Sequence, residues 1–119
     1  MTVRVSLNGT VLIALEGKYF WSVCPNENCV IRYSSQNMGV DLRIGGKETD
    51  TFLNPTHVSL DENDIFVCCD NNKVRRIDSN NYTVSDYLNF TDSIKSYFKF
   101  GDFAIAVMAS GTYVLENNQ

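Results

Sequence analysis

Four cysteines, a single histidine and one short acidic run are the residues here whose chemistry could build a site. Cys24 and Cys29 flank Pro25-Asn26-Glu27-Asn28, a four-residue turn between the apolar arms Tyr19–Val23 and Val30–Tyr33. In a hairpin these thiols face each other across the strands and can close a disulfide in an oxidising compartment. Cys68 and Cys69 are adjacent, and neighbours on a strand point to opposite faces, so they cannot easily share a metal or bond one another. Zinc needs paired Cys-x2-Cys or Cys/His spacings, and the chain has neither. The expectation is four reduced, buried thiols acting as small hydrophobes, with no metal and no cofactor.

His57 follows Asn54-Pro55-Thr56 and reads as a hydrogen-bonded surface residue at a strand entrance. A nucleophilic Ser or Cys usually needs a base beside it, and this lone histidine is poorly placed to serve. Asp61-Glu62-Asn63-Asp64 reads as a turn; Ile65 follows where a calcium loop needs a ligand or Gly. Gly45-Gly46-Lys47 lacks the upstream glycine of a phosphate loop, Val40 standing five residues before Gly45, and reads as a linker. No residue is assigned a catalytic role, and the reading is a non-enzyme.

The elements that must carry these residues follow from size and pattern. At 119 residues and 13.4 kDa, the expectation is one all-β domain spanning 1–119. A composition of 44% hydrophobic and 20% charged residues excludes a disordered or low-complexity chain. Ten Lys and Arg stand against 14 Asp and Glu, a net charge of -4, which argues against binding to nucleic acid or an anionic membrane. The longest apolar runs, Val11–Leu15 and Phe103–Ala109, are too short to cross a bilayer, and no signal peptide is legible. The expectation is a cytoplasmic or virion-associated protein.

Strand chemistry dominates. Thr2–Leu7 alternates, Asn8-Gly9 is a hairpin turn, and Thr10–Leu15 is a near-continuous apolar strand. Further strands are expected at Tyr19–Val23, Val30–Tyr33, Val40–Ile44, Val58–Leu60, Ile65–Cys69, Lys73–Ile77, Phe98–Phe100, Phe103–Met108 and Thr112–Leu115. Val84, Tyr87, Leu88, Thr91, Ile94 and Phe98 fall at helical spacing, which allows a short helix within 85–96. Lys73, Arg75 and Arg76 suit an edge strand guarded by charge. The glycosylation sequons at Asn8, Asn81 and Asn89 match chance frequency.

Three stretches repeat a turn, an apolar strand, a polar turn and a second strand. They begin at Gly9, Asn63 and Gly101, 54 and 38 residues apart, around the ~40–45 of a propeller blade. Val5-Ser6-Leu7 and Val58-Ser59-Leu60 precede the first two. The second unit runs from Asn54-Pro55-Thr56-His57 through Lys73-Val74-Arg75-Arg76-Ile77-Asp78. With its Pro-led strand, Asp-Asn turn and Val-x-x-Ile-Asp strand, it resembles one blade of the NHL/WD-like β-propeller superfamily. No Trp-Asp dipeptide occurs, and about three units fit where closure needs at least four. The fold class is therefore all-β and antiparallel: a sandwich or barrel of consecutive hairpins, with blade-like β-meanders as the alternative.

The aromatic runs Tyr19-Phe20-Trp21 and Tyr97-Phe98-Phe100 must send half their members away from any one face. Phe20 is expected in the core, and Trp21, Tyr19 and Tyr97, with polar tips suited to half-wet contacts, at an interface. The functional expectation is a non-enzymatic protein–protein interaction or assembly module that self-associates or binds another protein, of a kind suited to a viral or phage structural component. The alternative is a small soluble inhibitor or ligand-binding β protein.

Overall fold

A computed structural model describes residues 13–62 and 64–116. The expected strand at Thr2–Leu7, the turn at Asn8-Gly9 and the start of the first repeat lie outside these residues. Among these described residues eleven strands follow in chain order: β1 Ile13–Glu16, β2 Tyr19–Cys24, β3 Cys29–Ser34, β4 Val40–Gly45, β5 His57–Asp61, β6 Asp64–Cys69, β7 Lys73–Asp78, β8 Val84–Asn89, β9 Ile94–Phe100, β10 Phe103–Met108 and β11 Gly111–Glu116. They form three antiparallel meanders: β1-β2-β3-β4, β5-β6-β7-β8 and β9-β10-β11. Of the two expected arrangements of consecutive hairpins, the molecule adopts the blade-like one. Strand order within each sheet follows the chain, with no strand crossing from one sheet to another. The first strands sit together, β5 packing beside both β1 and β9, so the sheets fan out from one line.

Tight turns drive the meanders. Gly17 turns between Glu16 and Tyr19 at φ 57, and Gly101 between Phe100 and Phe103 at φ 63. Asp70 and Asn71 adopt φ 50 and 69 in the turn from β6 to β7, where Asx side chains tolerate left-handed backbone. A 3₁₀ turn over Pro25–Glu27, closed by Asn28 at φ 54, joins β2 to β3 and sets Cys24 directly opposite Cys29.

The second sheet is the middle layer, and that explains its sequence. Ile65, Val67, Cys69 and Ile77 pack with Trp21, Val23, Val30 and Phe52 in the core between the first and second sheets. Phe66, Cys68 and Val74 pack on the other side with Ile94, Tyr97, Ala104, Ala106 and Met108 of the third sheet. A strand covered on both faces has no solvent side, so Ile65–Cys69 is apolar throughout rather than alternating. In the first sheet, Phe20, Cys24, Cys29, Ile31 and Tyr33 form a separate cluster on the face turned from the second.

No helix forms within 85–96. β8 pairs with β7 through a bulge: Asp86 opposes Arg75 and Leu88 opposes Val74, leaving Tyr87 as the extra residue. Tyr87 and Leu88 consequently both reach the core between the second and third sheets, which mimics helical spacing. The chain then turns at Asp92, whose carboxylate accepts the N–H groups of Ser93 at 2.8 Å and Ser110 at 2.9 Å.

Candidate interaction surface

The chemistry-bearing residues are spent on packing. Cys24, Cys29, Cys68 and Cys69 form no disulfide, and all are buried. Burial, reinforced for Cys24 by its neighbour Cys29, raises the thiol pKa to about 11; Cys68 is pushed up by burial to about 12 and Cys69 to about 11. The thiolate is the reactive form, so these groups are inert at neutral pH. His57 is a correction to the surface reading: it is 5% exposed, between the second and third sheets. Its Nδ1 accepts the Tyr97 N–H at 3.5 Å, and its ring stands edge-on to Phe98 with centroids 4.9 Å apart. Burial lowers its pKa to about 4, so it is neutral at physiological pH. Ser59 beside it donates to the Tyr97 carbonyl, a second tie between the two sheets.

Both aspartates of the acidic run are engaged in ion pairs, Asp61 with Lys99 at 3.0 Å and Asp64 with Arg76 at 2.7 Å. β7 is not an edge strand, because β8 pairs with its far side. Its basic residues therefore bridge rather than guard: Arg75 meets Asp86 at 3.0 Å and donates to the Thr51 carbonyl. Gly45 holds φ 91 where a Cβ would lie 2.8 Å from the Asn28 carbonyl oxygen, so Gly45 is a packed junction at the start of a linker.

The aromatics expected at an interface lie elsewhere than on an open surface. Trp21 is 0% exposed and Tyr97 is likewise buried, while Tyr19 is half-buried. Phe20 and Trp21 do point to opposite faces, but both faces are covered, which corrects the outward placement of Trp21. Arg32 lies over the rings of Tyr19 at 4.5 Å, Tyr82 at 5.3 Å and Trp21 at 5.5 Å. It also donates to Asp41 at 2.7 Å and to the Tyr82 hydroxyl at 3.0 Å. This box binds the first sheet to the turn after β7. Tyr97 packs against Phe66 and Tyr87 with centroids 5.4 and 6.2 Å apart.

The open apolar surface is the face of the third sheet turned from the second. Strand register sets Phe98, Ile105 and Val114 in one row, Phe100 and Phe103 in the next, and Ser96, Val107 and Thr112 in a third. Phe98, Phe100 and Phe103 are 44%, 50% and 44% exposed, and Val114 is 66% exposed. At 150–250 Å² per buried Phe, the three rings alone present roughly 300 Å², the size of the largest patch on an ordinary monomer. The opposite face carries Ala104 and Ala106, small enough for the sheet to pack closely on Phe66 and Tyr87. Sequence reasoning passed over this face because Phe103–Ala109 is apolar on both sides, and only the neighbouring sheet reveals which side is covered.

Comparison with solved structures identifies the arrangement. The fold is that of β-propeller blades. The β-propeller domain of Myceliophteria thermophila Cps50 (Swd1) superposes with a TM-score of 0.73 at 13% identity, over 97% of this chain and 38% of that one. The N-terminal domain of Nup159 gives 0.69 at 6% identity, covering 94% and 32%. A structure of BBS1N in complex with ARL6DN gives 0.65 at 13% identity, covering 90% and 33%. This chain thus spans about a third of the length of these chains. No family model and no curated protein matches its sequence. Among the described residues no helix is long and apolar enough to cross a membrane.

Proposed function

We propose that the chain is a non-enzymatic assembly module that buries the outer face of its third sheet against another polypeptide, a second copy of itself being the first occupant. The observation that carries this is the in-register exposure of Phe98, Phe100, Phe103 and Val114. The junction between the first and second sheets likewise covers a face of aromatic and β-branched residues, Trp21, Val23 and Val30 meeting Ile65, Val67 and Ile77. Two copies joined through this patch would bury at least about 600 Å² of aromatic surface, and rim residues bring the contact toward the lower end of specific interfaces. The non-enzymatic reading is supported by a neutral, buried His57, by thiols with raised pKa and by carboxylates engaged in ion pairs.

Sedimentation velocity across a concentration series tests the proposal. The wild-type chain should dimerise, and Phe100→Ser with Phe103→Ser should remain monomeric with an unchanged thermal midpoint. A wild-type chain that stays monomeric at every concentration, or a double variant that dimerises equally well, overturns it.

A further inference from the structure

β5 has a different neighbour on each side, and its two faces are chemically unlike. Val58 enters the apolar core between the first and second sheets, with Leu60 packed against it. His57, Ser59 and Asp61 share the opposite face, since alternate residues of a strand point the same way, and all three meet β9 of the third sheet. His57 Nδ1 accepts the Tyr97 N–H at 3.5 Å, Ser59 Oγ donates to the Tyr97 carbonyl, and Asp61 accepts from Lys99 Nζ at 3.0 Å. The seam between the second and third sheets is thus a ladder of three side-chain rungs, all supplied by one strand. It is dry: His57 and Ser59 are 5% and 6% exposed, and the Lys99 and Asp61 side chains 16% and 17%.

The two junctions are therefore held by different means. The first closes on Trp21, Val23, Val30 and Phe52, none of which titrates. Two of the three rungs of the second depend on a group being unprotonated. An imidazolium has no lone pair at Nδ1 to accept the Tyr97 N–H, and a neutral carboxyl gives up the ionic part of its bond to Lys99. The titratable groups on the strands around His57 are Cys68, its register partner on β6, and Tyr97 and Lys99 on β9, with Asp61 on its own strand. Further along those strands, Lys95 is exposed and Asp64 is paired with Arg76. Burial is what sets the His57 pKa at about 4, so the ring takes up its proton with the seam open rather than closed.

We propose that the third sheet is an acid-released unit: as pH falls, β9, β10 and β11 part from the second sheet along the His57–Ser59–Asp61 ladder while the first and second sheets stay packed. Opening returns His57 to solvent, where it binds a proton with its ordinary affinity, near pH 6.5. The opening constant therefore grows about tenfold per pH unit below about 6.5 and levels off near pH 4. Phe66, Ala104 and Ala106 are the buried groups that such an opening would uncover.

Amide hydrogen exchange resolved by residue, at a concentration where sedimentation shows only monomer, tests this between pH 7.5 and 4.5 after correction for intrinsic exchange rates. Amides of β10, the central strand of the third sheet, should be at least about tenfold less protected than those of β2, β3 and β6. Their protection should fall about tenfold per pH unit below pH 6. His57→Gln keeps an oxygen to accept the Tyr97 N–H but takes up no proton, and in that variant the slope should shrink to less than half. Trp21, the sole tryptophan, lies wholly within the first junction, and its emission should hold its native maximum across the same range. Equal protection of β10 and of β2, β3 and β6 at every pH would make the chain one cooperative unit and overturn the proposal, a comparison that uses the wild-type chain alone. An unchanged slope in His57→Gln, or Trp21 emission that shifts in step with β10 exchange, overturns it as well.

Discussion

Acid should destabilise this protein through one identifiable group. His57 is 5% exposed, and burial holds its pKa at about 4 in the folded chain. In the unfolded chain it returns to the ordinary value near 6.5. The unfolded state therefore binds a proton that the folded state refuses throughout the interval between those values. Where the unfolded state binds more protons, stability rises with pH. The His57 contribution is thus complete above about pH 6.5, declines as pH falls, and is exhausted near pH 4. At 1.36 kcal/mol per pH unit the fall from 6.5 to about 4 corresponds to about 3 kcal/mol, a large share of the 5–15 kcal/mol that stabilises an ordinary domain. The measurement is urea unfolding at half-unit intervals from pH 7.5 to 4, for wild type and for His57→Gln. The variant carries a constant penalty for the lost packing against Phe98, but its stability should vary less with pH, and the difference between the two curves isolates the histidine from the carboxylates. Chemical-shift titration of the imidazole should show no inflection above pH 5. An imidazole that titrates near 6.5, or parallel stability curves for the two proteins, would refute the burial argument.

Trp21→Ala should act as a core truncation, costing about 3–5 kcal/mol in urea unfolding because the indole sits wholly between the first and second sheets; a loss below about 1 kcal/mol would return it to a surface role. Gly45→Ala should destabilise by more than about 1 kcal/mol, since a left-handed backbone and a 2.8 Å approach to the Asn28 carbonyl act together. Gly17→Ala, with φ 57 and open space around its Cβ, should cost less, and thermal melts of the two variants compare strain with and without the clash. All four thiols should resist alkylation in the native state and react on unfolding, as intact mass after trapping under native and denaturing conditions would show.

Much of the architecture was already legible in local chemistry. The β2–β3 hairpin that sets Cys24 against Cys29, the opposite facing of Cys68 and Cys69, and the turn at Asp70-Asn71-Asn72 depend on alternation and turn preference, which act over a few residues. The blade-like unit at residues 54–78 was likewise carried by one run of chain whose strands pair with their immediate successors. Burial of whole faces was a different matter, because it depends on what lies about 10 Å above and below a sheet. Trp21 looked suited to a wet contact until the second sheet covered it, and His57 looked like a surface residue until the third sheet closed over it. The bulge at Tyr87 disguised a strand as a helix, since pairing with β7 rather than the spacing of apolar residues dictates its conformation. Phe98, Phe100 and Phe103 are no more hydrophobic than Phe20 or Phe66. They are exposed because, among the described residues, no fourth sheet stands beside the third, a fact of stacking that no local pattern encodes.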